Sequence, residues 1–161
     1  MAENDLVLPL GGDGVINLRV GAIIMKDSKL LMTGNNRDNY LYSVGGRLQF
    51  GESAEQAVIR EVFEETGYKL SFQRLAFTHE NFFLGTIGGN KTKRIYELSF
   101  YFIMNVPEDF DPVCQSETNE GLKEHLVWIT ADTKLLYYPI FFRDFLLNPS
   151  QIKTHYVTRE W

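Results

Sequence analysis

The sequence predicts an α+β chain with a largely β core and two main helices. Three observations carry that expectation: apolar runs rich in β-branched and aromatic residues and punctuated by Gly, Asn, Asp and Ser, one strongly capped amphipathic helix near the middle, and a short helical run towards the end. At 161 residues, with 44% hydrophobic and 14% aromatic content, the chain can bury a sizeable core, and a single domain over residues 1–161 is expected.

In chain order, Val15 to Met25 and Lys29 to Gly34 read as a hairpin around Lys26-Asp27-Ser28, and Leu41 to Val44 as a short strand. Gly45 and Gly46 form a turn. Ser53 with Gln56 makes a capping box and Gly67 suits a left-handed helix end, so a helix is expected from Ala54 to Thr66. Leu70 to Glu80 and Arg94 to Asn105 read as longer strands, joined by a flexible loop over Gly85 to Lys91. Leu126 to Ile129 is a further strand, Phe141 to Leu147 a helix, and Ile152 to Thr158 a final strand. Repeats, linkers and low-complexity segments are absent.

The middle helix carries chemistry. At 100° per residue Glu61, Glu64 and Glu65 share one arc, while Val58, Ile59, Val62 and Phe63 fill the arc beside it. One edge packs and the other gathers carboxylates. Carboxylates three and four apart repel, at a cost of a few tenths of a kcal/mol per pair, unless a cation lies between them. Oxygen ligands favour hard cations such as Mg²⁺ or Mn²⁺, which share their shells with substrate phosphates. Phosphoryl transfer to water is the implied chemistry, with a free carboxylate taking the water's proton. Arg60 lies one turn before Glu64 and can orient it, and Glu52 can hold Arg60 from the loop.

The segment from Gly46 to Tyr68, GRLQFGESAEQAVIREVFEETGY, sets Gly46, Glu52, Arg60, Glu61, Val62, Glu64, Glu65 and Gly67 at the spacing G-x5-E-x7-R-E-U-x-E-E-x-G, with U aliphatic. It resembles the signature of the Nudix hydrolases. Chance matching has odds on the order of 10⁻⁷ at ordinary residue frequencies, which favours this reading over a merely solvated acidic face. Tyr68 stands where the family pattern has a second aliphatic residue. The resemblance, which covers about Leu18 to Leu147, implies a mixed β-sheet sandwiched between α-helices. It also implies metal ligation by Glu61, Glu65 and the Gly45 carbonyl, a further ligand or base at Glu64, and a supporting ion pair between Glu52 and Arg60. The expected activity is Mg²⁺- or Mn²⁺-dependent hydrolysis of a nucleoside diphosphate linked to another group. The competing expectation is a Nudix-fold module that senses a nucleotide without cleaving it, although this chain keeps all four box glutamates.

A net charge of -5 argues against a bulk nucleic-acid or anionic-membrane surface. The expected partner is a small nucleotide substrate, with no membrane, nucleic acid disfavoured and a homodimer left open. A single cysteine, Cys114, cannot form an internal disulfide; the acidic N-terminus has no signal-peptide pattern, and a cytoplasmic protein is expected.

Outside the box, Glu97, Glu117, Glu120 and Glu124 are candidates for another acidic contribution, Glu120 and Glu124 from a loop and Glu97 from within a strand. Arg19, Arg47, Lys91, Lys93 and Arg94 are candidates for phosphate contact, with Arg47 foremost because it follows the glycine pair. Tyr42, Phe82, Phe83 and Trp128 are candidates for stacking on a base. Among His79, His125 and His155, His79 is the one expected to face a ligand. Oxidised purine nucleoside triphosphates, nucleotide sugars, ADP-ribose, dinucleoside polyphosphates and capped RNA ends all remain open as substrates, because loops outside the box set selectivity.

Overall fold

The computed structural model describes residues 4–86, 90–114, 116–118, 121–151 and 153–160. Ten strands run in chain order as β1 (Val7–Pro9), β2 (Gly14–Ile23), β3 (Met25–Lys26), β4 (Lys29–Asn35), β5 (Tyr40–Ser43), β6 (Phe72–Leu84), β7 (Arg94–Met104), β8 (Glu124–Ile129), β9 (Leu136–Tyr138) and β10 (His155–Arg159). Helix α1 spans Ala54–Thr66, between β5 and β6, and α2 spans Phe142–Leu147.

One sheet has the order β1-β2-β7-β6-β10; the other joins β3, β4, β5 and β9 in line, with β8 paired to β4. The β2–β7, β5–β9 and β6–β10 pairings are parallel and the rest antiparallel. The expected first hairpin is corrected in one respect. The long run ends at Ile23, and Met25–Lys26 crosses into the second sheet, where Met25 pairs with Leu30 and Lys26 with Lys29. Asp27 and Ser28 both take positive φ, 50° and 60°, the backbone that a tight two-residue hairpin needs.

The two sheets build two apolar clusters. Val20, Ala22 and Ile24 pack with Leu31 and with Ala57, Val58 and Val62 of α1, whereas Ile23 packs with Leu30, Met32 and with Phe142 and Phe145 of α2. Adjacent residues of β2 and β4 thus feed different clusters, which puts the helices on opposite faces and gives the expected layering of sheet between helices. Helix α1 ends where the sequence places it. Ser53 accepts from the Gln56 amide, Gln56 accepts from the Ser53 amide, and Gly67 closes the helix at φ 75°.

Several boundaries differ from expectation. Strands β1 and β9 are additional, since three residues of each carry too little alternation to read. Strand β6 runs on to Leu84, and β8 starts at Glu124, so this glutamate sits on a strand. The last strand begins at His155; Ile152 and Glu120, together with Ile87, Gly88 and Gly89 of the expected loop, lie outside the described residues. Among the described residues no helix is long and apolar enough to cross a membrane.

Phe77 is 2% exposed and its ring meets Tyr101, Phe141, Phe142 and Tyr156. Phe77→Ala should lower the unfolding free energy by about 3–5 kcal/mol, measured as a lower denaturant midpoint at unchanged slope.

Candidate active site

A cleft of about 940 Å³ is lined by the Gly45–Arg47 turn, the glutamates of α1, the polar middle of the first sheet and the tyrosines of β5 and β9. Its chemistry begins at the glycine turn. Gly45 has φ 140°, and a Cβ there would meet the Val20 carbonyl oxygen at 2.2 Å. At Gly46 a Cβ would sit 2.3 Å from the Glu61 carboxylate. The turn therefore has to be bare for the backbone to pass between β2 and α1.

Glu65 is the deepest carboxylate, 5% exposed. Thr33 donates to Oε2 at 2.6 Å and the Gly45 amide to Oε1 at 2.7 Å. Burial pushes its pKa up to about 8 against those two hydrogen bonds, and the nearby Glu124 and Glu61 charges add to the rise.

Arg60 organises the rest. Its Nε and Nη2 bind both oxygens of Glu52 at 3.1 and 2.6 Å, Nη2 also donates to the Arg47 carbonyl at 3.0 Å, and Nη1 reaches Glu61 at 2.7 Å and Glu64 at 3.3 Å. Burial would raise the Glu52 pKa, but bonds from Arg60 and the Gln49 amide outweigh it and hold the group below the ordinary carboxylate value. At Glu61 burial wins over Arg60 and the pKa lies above the ordinary value. Glu64, with a side chain 52% exposed, stands at the open edge.

The other candidates separate clearly. Arg19 and Arg47 form an isolated antiparallel bridge, so both face the cleft; Arg19 Nη2 lies 3.5 Å from the Gly45 carbonyl and Arg47 Nη1 3.4 Å from Asp5. Tyr42 lines the cleft and donates its hydroxyl to Glu124, whose other oxygen accepts from Ser116 at 2.6 Å. Glu97 accepts from Asn17 at 2.7 Å and lies 3.9 Å from Arg19, while Glu117 also lines the cleft.

Phe82 differs from expectation. It lies on the face of β6 opposite His79 and Asn81, between the Tyr96 ring at 4.9 Å and the Arg159 guanidinium at 4.0 Å, because strand alternation turns even-numbered residues of this stretch away from the cleft. Phe83, Lys91, Lys93, Arg94, Trp128, His125 and His155 are not among the lining residues either. Arg94 pairs with Asp13, Trp128 packs on the first cluster, and His155 pairs with Glu80. His79 does line the cleft, with Nε2 2.8 Å from the Thr158 hydroxyl.

Sequence reasoning did not reach Thr33, Asn17, Asn81, Ser116 or Thr158. These small polar residues carry no spacing signal; Asn81, Ser116 and Thr158 line the cleft, whereas Thr33 and Asn17 act behind it through Glu65 and Glu97.

The donors around Glu61, Glu64, Glu65 and the Gly45 carbonyl are all oxygens, the set a hard divalent cation takes. Among the described residues no three acidic, imidazole or thiol groups converge in ligand geometry; Arg60 instead holds Glu61 and Glu64 together.

The site is thus a glycine turn leading into a helix that presents three glutamates and an arginine fork. A family model described as NUDIX domain matches residues 16–138, and the chain belongs to that family. It is 36% identical over 78 residues to a Bacillus subtilis (strain 168) protein named "Putative 8-oxo-dGTP diphosphatase", covering 43% of this chain and 52% of that one. The chain thus matches about half the length of that curated relative. The solved structure of a MutT NUDIX hydrolase from Burkholderia pseudomallei superposes with TM-score 0.57 at 19% identity, covering 80% of this chain and 95% of that one. An ADP-ribose pyrophosphatase from Streptococcus suis gives TM-score 0.55 at 18% identity, with 88% and 98% covered. These two likenesses establish the fold.

His79 supplies a pH test. Burial, helped by the nearby His155, depresses its pKa to about 4 from 6.5, so the unfolded chain binds the proton more tightly. Its contribution to stability is present above pH 6.5 and is lost as the pH falls towards 4. One pKa step is worth about 1.4 kcal/mol, so the loss is roughly 3 kcal/mol. Denaturant unfolding of wild type and His79→Gln at pH 7 and pH 4.5 should show a shallower acid loss in the variant.

Proposed function

We propose that this protein hydrolyses the diphosphate linkage of a nucleoside diphosphate joined to another group, with Mg²⁺ or Mn²⁺ bound at Glu61, Glu64, Glu65 and the Gly45 carbonyl. The single observation that carries the reading is the Arg60 fork. It ties the loop glutamate Glu52 and the Arg47 carbonyl to two helix carboxylates, a geometry a solvated acidic face does not need.

A divalent ion here supplies charge neutralisation for the phosphates and lowers the pKa of a water. The chain's own residues do the rest. Arg19 on β2 and Arg47 on the glycine turn, joined by an isolated bridge and both lining the cleft, bind phosphate oxygens. Glu64, exposed at the cleft edge, takes a proton from the attacking water, whose oxygen bonds one phosphorus while the bridging oxygen leaves with the other phosphate. Thr33 and the Gly45 amide fix the depth and orientation of Glu65. Related proteins are named for 8-oxo-dGTP and for ADP-ribose, which supports a nucleotide substrate for this cleft.

Excess chelator should abolish turnover on a nucleoside diphosphate panel, and Glu64→Gln or Glu65→Gln should lower kcat by at least about 10²-fold with the fold retained. Circular dichroism and Mg²⁺-dependent phosphate release check both. Undiminished turnover in chelator, or in both variants, overturns the proposal.

Arg60 acts by holding carboxylates. Lysine keeps the charge but cannot reproduce the fork, and positioning errors of about 1 Å can cost on the order of 10² in rate. Arg60→Lys should therefore lower kcat at saturating Mg²⁺. A raised KM with unchanged kcat would instead make Arg60 a substrate-binding residue.

A further inference from the structure

A row of polar residues crosses the cleft face of the first sheet. The register aligns Asn17 on β2 with Glu97 on β7, Glu97 with Asn81 on β6, and Asn81 with Thr158 on β10. Directly opposed residues on one face lie with Cβ atoms about 5 Å apart. Along the same face Ile23, Phe77 and Tyr101 are packed core, and the row of Arg19, Ser99 and His79 separates that core from this polar row. Buried polar groups are costly unless partnered.

The row is only partly satisfied from within. Glu97 Oε2 accepts from Asn17 at 2.7 Å and lies 3.9 Å from Arg19 Nε, whereas no donor among the described residues reaches Oε1. Asn17 is 7% exposed, and its Oδ1 is buried with no partner among the described residues. Thr158 donates its single hydroxyl proton to Asn81 Oδ1 at 2.6 Å, and its oxygen therefore receives the Nε2 proton of His79, 2.8 Å away. That relay fixes the Asn81 amide, leaving its NH₂ without an acceptor among the described residues. Glu97, Asn81 and Thr158 all line the cleft. Tyr40, Tyr138, Pro139 and Ile140 line the same cleft, with the two tyrosine rings 5.5 Å apart edge to face. The cleft thus combines apolar rings with an acceptor-only carboxylate beside an amide donor on the sheet face.

We propose that this row reads the nucleobase of the substrate, and that the base is guanine. Guanine's edge presents two adjacent donors, the ring N1–H and the exocyclic amino group, followed by the O6 acceptor. A carboxylate accepts the pair and the Asn81 NH₂ donates to O6. Adenine would turn its N1 lone pair towards the Glu97 carboxylate, cytosine its N3 lone pair, and uracil has a single ring donor. The assignment rests on the reading of this cleft as a nucleoside diphosphate site, which supplies the phosphate end at Arg19 and Arg47.

The test is calorimetric titration of the intact chain, in Mg²⁺, with GMP, IMP and AMP. GMP should bind at least about 10-fold tighter than AMP, with IMP between, since one good paired contact is worth roughly that factor or more. Glu97→Gln should shrink the GMP:AMP ratio to within about 3-fold, whereas Arg47→Ala should weaken GMP and AMP alike and leave the ratio intact. A ratio is insensitive to partial loss of folded protein. Equal binding of GMP and AMP by wild type, no binding of any of the three, or an undiminished ratio in Glu97→Gln overturns the assignment. Turnover of guanine- and adenine-containing nucleotide sugars and triphosphates is read separately. Base-selective binding without turnover supports the base site and removes the hydrolytic reading, and turnover blind to the base does the reverse.

Discussion

The guanidinium of Arg60 is the interaction on which the site's geometry depends. One planar group bonds the Glu52 carboxylate twice, takes up the Arg47 carbonyl, and reaches Glu61 and Glu64. Those partners belong to three pieces of chain: the turn after β5, the loop before α1 and α1 itself. Without that cation the carboxylates would repel one another on a helix already anchored by its own cap. The glycine turn lies so close to β2 at Gly45 and to Glu61 of α1 at Gly46 that neither position can carry a side chain. Helix placement, turn conformation and carboxylate position are therefore one constraint seen from three sides.

Glu65 shows the same economy at greater depth. It is bound by a β4 hydroxyl and by the backbone of the glycine turn, so it fastens helix to sheet while remaining a carboxylate raised well above its usual pKa by burial. A positive charge nearby would favour the ionised form of a group so placed. The apolar clusters around it make the arrangement rigid, since Val58 and Val62 on the adjoining arc of α1 are fully buried.

How much of this was legible in the sequence follows from where each signal resides. Helix α1 was readable to the residue because its limits are set locally, by Ser53, Gln56 and Gly67, and because the box spacing is covalent. The longer strands were readable as segments, with ends displaced by a few residues. The crossover at Ile24 was not, since a continuous apolar run gives no sign that it changes sheets. Nor were β1 and β9, or the cleft roles of Asn81 and Thr158. Those depend on pairing registers between residues far apart in the chain, such as Asn81 with Glu97 and with Thr158. Phe82 marks the limit most clearly: its position at a strand end was readable, but the face it occupies is decided by a one-residue phase that only the sheet fixes.

Strand β10 joins the sheet parallel to β6 through five residues and lies outside residues 16–138, the span that matches the family. Thr158, which orients Asn81, is thus borne on a peripheral edge strand, while the carboxylates and the glycine turn sit within the matched span. The proposed base row thus straddles that boundary, with Asn17, Glu97 and Asn81 inside the matched span and Thr158 beyond it. A substitution at Thr158 would free the Asn81 amide to turn while α1 and its arginine fork keep their shape, so the proposed base preference could change on this scaffold with the carboxylates left in place.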